Sequence, residues 1–89
     1  MTAVIDGTKI DTREALHDAM QAQLALPEYY GRTLDALYDC LTDRFEETEL
    51  RLVNAKALDE HLGAYAAVLR RMLRDACEDN PRLRFVEEE

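Results

Sequence analysis

Eighty-nine residues, 47% of them apolar, suffice for one domain with a modest core and leave little room for a second. Nineteen acidic against eleven basic side chains give a net charge of −8. This balance argues against nucleic acid and anionic membranes as partners, since both recruit a basic footprint, and favours either plain solubility or steering toward a basic partner.

Two cysteines, Cys40 and Cys77, do not make the disulfide framework of a secreted domain. The opening MTAVIDGTKID has neither a basic nor an apolar leader region, and no run reaches the length of a membrane span. A cytoplasmic chain with reduced thiols is the expectation.

Ala3-Val4-Ile5, ended by the turn pair Asp6-Gly7, predicts a first strand at about 2–6. Asp11 and Glu14 read as a capping box. Leu16, Met20 and Leu24, with Ala19, then recur at helical spacing and predict a helix at about 12–25. Pro27 opposes its continuation, and Gly31 offers a position where positive φ is cheap. Thr33 is placed to cap a second helix at about 34–43. Glu49 to Val53 predicts a second strand, and Asn54 a cap for a short third helix stopping at Gly63. Val68, Leu69, Met72, Leu73 and Ala76 trace a 3.6-residue stripe for a fourth helix, which Asn80-Pro81 ends. Leu83, Phe85 and Val86 form a last strand, and Glu87-Glu88-Glu89 is expected to be a solvated acidic tail. Strands separated by helices predict an α/β domain over 1–89 with a parallel sheet and right-handed crossovers.

The second helix breaks a local rule. On a helical wheel Leu34, Leu37 and Leu41 share one side, with Tyr38 at its edge, and Asp35, Asp39 and Asp43 stack on the opposite side at i, i+4 spacing. Each such like-charge pair costs about 0.2–0.5 kcal/mol, and no Lys or Arg within the helix relieves it. The helix dipole favours Asp35 but opposes Asp39 and Asp43. From Glu28 to Glu49 there are seven acids against two bases, Arg32 and Arg44. Taken alone the stripe is compatible with an ordinary solvated face. Tyr29-Tyr30 beside it is what interface anchors look like, although one of the pair could belong to the core. A local rule broken without local compensation points to a functional surface.

Leu24-Ala25-Leu26-Pro27-Glu28-Tyr29-Tyr30-Gly31, followed by Leu34-Asp35-Ala36-Leu37-Tyr38-Asp39-Cys40-Leu41-Thr42, resembles the signature segment of the barstar family. Ala3-Val4-Ile5, Gly7, Ile10, Leu16 and His17 are similar to it as well. The resemblance implies a small three-stranded parallel sheet packed with four helices. It also implies inhibition of a basic, extracellular-type, barnase-like guanyl-specific ribonuclease by occlusion of its active site. The carboxylates of the second helix would stand where substrate phosphates lie, with no cofactor, metal or catalytic residue, in a protein that is monomeric when free.

On that resemblance Asp39 is the central anion, facing the enzyme's arginines and catalytic histidine, and Asp35 is a second one. Tyr29 packs against that histidine and Thr42 adds a polar contact. Tyr30, Gly31, Thr33, Tyr38 and Asp43 complete the surface, and Asp75, late in the fourth helix, is the nearest match to a further acidic contact. The chain departs from the family in having Thr33 for asparagine, Tyr38 for tryptophan, Asp43-Arg44 for glycine-tryptophan, and Thr48 for a proline whose cis bond is not expected here. Asp43 adds an anion at the interface edge, whereas Arg44 sets a cation beside a cationic enzyme. The second family cysteine has no counterpart, and Cys77 sits elsewhere.

Two rival chemistries are weak. Asp35 and Asp39 as an acid/base pair would need to flank a cleft, and here they project from one helix face. Cys40, Cys77, His17 and His61 lack any close ligand spacing for a metal. A same-fold immunity or adaptor protein for a different basic toxin or partner is the alternative within the binding class.

Overall fold

Three short strands, β1 (Thr2–Asp6), β2 (Thr48–Val53) and β3 (Leu83–Glu87), form one all-parallel sheet in the order β1-β2-β3, in a computed structural model that describes all 89 residues. Four helices connect them: α1 (Arg13–Leu24), α2 (Leu34–Thr42), α3 (Ala55–Leu62) and α4 (Ala64–Asp79). The α/β class and the strand and helix counts are as the sequence predicts. Ala3 pairs with Leu50 and Ile5 with Leu52, so small and branched side chains share one buried face, where Leu83 joins them. Glu49, Arg51 and Arg84 occupy the other face, half-buried or exposed and joined by ion pairs. One side of this parallel sheet is therefore polar, which explains why β2 alternates instead of reading as an unbroken apolar run.

Most helix boundaries follow local chemistry. Thr33 Oγ1 accepts from the Ala36 N–H at 3.0 Å, as expected of an N-cap. For α1 the cap is Thr12, accepting from Ala15 N–H at 3.0 Å, and not Asp11, which stands one residue too early. Asn54 precedes α3 in the left-handed region (φ 54°) without capping it, and its amide donates instead to Asp6 Oδ1 at 2.8 Å. The positive φ expected at Gly31 falls on Arg32 (57°). At Gly31 an added Cβ would approach Ala36 Cβ to 3.1 Å, so this glycine serves a close contact rather than a turn angle. The chain has no cis peptide bond.

Two further expectations change. Val68 is 49% exposed, and the core stripe of α4 runs through Ala66, Leu69, Leu73 and Ala76. The acidic end is not a free tail: Glu87 belongs to β3 and pairs with Arg70, Glu88 pairs with Arg51, and Glu88 N–H donates to Leu52 O at 2.7 Å. Arg70 also pairs with Asp59, so one guanidinium joins α3, α4 and β3. No helix is long and apolar enough to cross a membrane.

Candidate protein-binding face

Leu37 and Leu41 are fully buried and seat α2 in the core, which leaves Asp35, Asp39 and Asp43 exposed along its outer side. Asp43 is the C-cap residue, its N–H donating to Asp39 O at 3.1 Å. None of the three carboxylates takes part in any of the molecule's ion pairs. No ion pair within the protein therefore offsets the like-charge repulsion foreseen for the stripe.

The end of this helix is held by a distant residue. Buried Asn80 donates from Nδ2 to Leu41 O (2.9 Å) and Arg44 O (3.1 Å), and its Oδ1 accepts from Arg82 N–H at 3.0 Å. Leu41 O in the last turn of α2 and Arg44 O in the loop just after it thereby share a donor from the far end of α4. Arg44 borders the same hollow as Asp39 and Asp43, but it does not present its charge outward to a partner as expected. Its guanidinium turns inward, donating to Leu24 O (2.9 Å) and Thr48 Oγ1 (3.1 Å). A carbonyl at the end of α1 and a buried hydroxyl are better partners for it than open solvent, so the cation belongs to the scaffold.

The loop between α1 and α2 separates its two tyrosines. Tyr29 is 89% exposed, whereas Tyr30 is 5% exposed and packs in the core. Its hydroxyl lies 2.5 Å from His17 Nδ1, and His17 Nε2 lies 2.9 Å from the Tyr65 hydroxyl, whose ring carries the Arg13 guanidinium at 4.3 Å. Tyr30 is therefore the internal anchor of the loop, and only Tyr29 is free to meet a partner. Arg32 adds a second anchor, donating to Asp18 Oδ1 (2.6 Å) and Glu14 O (3.2 Å).

Burial, reinforced by the nearby Arg32 charge, holds the His17 pKa below its ordinary value of 6.5. A native pKa below the unfolded one means that unfolding takes up a proton once the pH drops below about 6.5. Stability should fall as pH decreases from there toward the native pKa, with a slope of at most about 1.4 kcal/mol per pH unit for one proton. Urea unfolding at pH 7 and 5.5 should show this loss in the parent and a smaller one in His17→Gln. An equal loss in both would assign it to other groups.

The remaining expected residues gather in two places. An open hollow of about 350 Å³ between loop and helix is lined by Tyr29, Asp39, Asp43 and Arg44, with Pro27 and Cys40. A second, beside α4, brings Asp35 and Tyr38 together with Asp75, Arg71, Val68 and Met72. Gly31 is exposed at the loop end. Two hydroxyls are already engaged: Thr33 caps α2, and Thr42 donates back to Tyr38 O at 2.9 Å. Cys40 and Cys77 are free thiols whose pKa values burial pushes up, which makes both poor nucleophiles. One surface residue escaped sequence reading. Phe45, 88% exposed just after α2, stands in an acidic run where no periodicity marks it.

Fold and surface together define a small acidic α/β protein with an unpaired carboxylate stripe between structured loops. The family model described as Barstar (barnase inhibitor) matches residues 1–87. The chain is also 39% identical over 77 residues to a Bacillus subtilis (strain 168) protein named "Putative ribonuclease inhibitor YrdF", with 85% of each chain covered. The chain belongs to the barstar family.

Proposed function

We propose that this protein inhibits a basic, barnase-like guanyl-specific ribonuclease in the cytoplasm, as a monomer that blocks the enzyme's active site with α2 and the loop before it. The observation that carries the reading is the stripe Asp35–Asp39–Asp43, exposed and in no ion pair of its own protein, on a member of a family described as barnase inhibitors. Carboxylates held on a rigid helix can stand in for the phosphates of RNA against the enzyme's basic groups. Tyr29 supplies the aromatic contact, and Asp75 borders the same face from α4. Gly31, Thr33, Tyr38 and Thr42 shape the surface between these groups. Asp43 lies at the end of the stripe, where rim charges govern encounter rate and salt dependence more than dissociation. The protein itself does no chemistry.

The test is titration of barnase with the purified protein while RNA hydrolysis is followed. Stoichiometric loss of activity is expected, and hydrolysis by the protein alone, abolished by Asp35→Asn or Asp39→Asn, would overturn the inhibitor reading. Immunity against another basic toxin is the second reading, favoured by Asp43, which extends the anionic stripe beyond the family pattern. Capture of a different basic nuclease, with barnase left active, would select it.

A further inference from the structure

The loop between α2 and β2 carries a ring that the fold does not use. Phe45 is 88% exposed, matched among the large apolar side chains only by Tyr29 at 89%. The backbone beneath it is fixed from three directions. Arg44 reaches Leu24 O at 2.9 Å, Asn80 Nδ2 donates to Arg44 O at 3.1 Å, and the Met1 ammonium donates to Glu47 O at 2.6 Å. Phe45 thus projects from a loop tied to α1, α4 and the start of β1, so its ordering is already in place before any partner arrives.

Position and charge indicate what the ring meets. Asp43, Glu46 and Glu47 flank it in the chain, and of these only Glu46 has an ionic partner, at 3.7 Å from the Met1 ammonium and 3.9 Å from Arg44. Arg44 ties this loop to Leu24, from which the Tyr29 loop departs, and lines the same hollow as Tyr29, Asp39 and Asp43. The acidic stripe therefore has an exposed aromatic ring on each of its two flanking loops. An aromatic ring surrounded by acids suits a basic side chain, whose aliphatic stem packs on the ring while its charge lies over the face.

We propose that Phe45 is a second aromatic anchor for the ribonuclease, receiving a lysine or arginine of the enzyme across its ring. This rests on the inhibitor reading above. The experiment measures dissociation constants for barnase with the parent protein, Asp39→Ala, Phe45→Ala and Phe45→Leu, alongside thermal unfolding of each inhibitor alone. Phe45→Ala should weaken binding about tenfold or more, as expected of an aromatic anchor. Phe45→Leu, which keeps apolar contact but loses the π face, should fall between Phe45→Ala and the parent. Neither should shift the melting temperature, because the ring makes no internal contact that stabilises the fold. If Asp39→Ala weakens binding while Phe45→Ala stays within twofold of the parent, the second anchor is wrong and the inhibitor reading stands. If Phe45→Leu equals the parent, the basic side chain is not the occupant. If the parent does not bind barnase at all, the reading falls and the anchor falls with it.

Discussion

Asp39→Ala should weaken binding to barnase by more than about 2 kcal/mol and leave the free protein as stable as before, or slightly more so. The two halves of this expectation come from the same observation. Asp39 sits between Asp35 and Asp43 on an exposed face and forms no ion pair within its own protein. Its removal relieves two like-charge pairs worth about 0.2–0.5 kcal/mol each and installs the best helix former. In the proposed complex, by contrast, truncation would leave the enzyme's cations facing an empty space, and charged anchors of this kind lie in the hot-spot range, a range that barnase–barstar complexes themselves helped to define. Isothermal titration against barnase and urea unfolding of the free variant separate the effects. A variant that unfolds easily yet binds as tightly as the parent would make the stripe structural.

Gly7→Ala should cost more than about 3 kcal/mol of folding stability, a large share of the total of order 5–10 kcal/mol expected for such a domain. Gly7 follows β1 and opens a 3-10 turn that lies against the start of α3. A Cβ there would stand 2.3 Å from Asn54 O and 2.9 Å from Leu58 N, both backbone atoms that cannot rotate aside as a side chain can. Relief would require parting β1 from α3, breaking the Asn54 bond to Asp6, the largest of the effects that lower the Asp6 pKa. Urea denaturation of Gly7→Ala against Gly31→Ala tests the point, because the nearest obstruction at Gly31 is only the Ala36 methyl at 3.1 Å. A Gly7→Ala variant within about 1 kcal/mol of the parent would show that the turn adjusts freely.

What could be read from the sequence was whatever is decided within a few residues. Thr33 caps the helix it precedes, Asn80-Pro81 ends α4, and the Leu37/Leu41 side of α2 lies opposite its acids because helical spacing alone determines it. The readings that changed depend on partners far along the chain. Tyr30 goes inside because His17 waits thirteen residues upstream, Arg44 turns inward because Leu24 O and Thr48 Oγ1 are there, and Glu87 is fastened by Arg70. Periodicity carries no trace of such pairings. Phe45 is the converse case: an aromatic residue is ordinarily expected to be buried, and only the folded chain leaves it outside.

The Asn80 amide also bears on the order of events during synthesis. The carboxylate stripe is encoded by residues 35–43, yet Leu41 O in that helix and Arg44 O just beyond it are secured by a side chain from position 80, and the central strand acquires its β3 neighbour later still. Until those last residues emerge from the ribosome, α2 lacks its terminal donor and β2 lacks one of its two partners. A nascent chain therefore exposes these charges without the rigidity that the proposed inhibition needs, and nonlocal pairing of this kind closes late. On the proposed inhibitor reading, blocking of a nuclease would begin with finished molecules, not with growing ones.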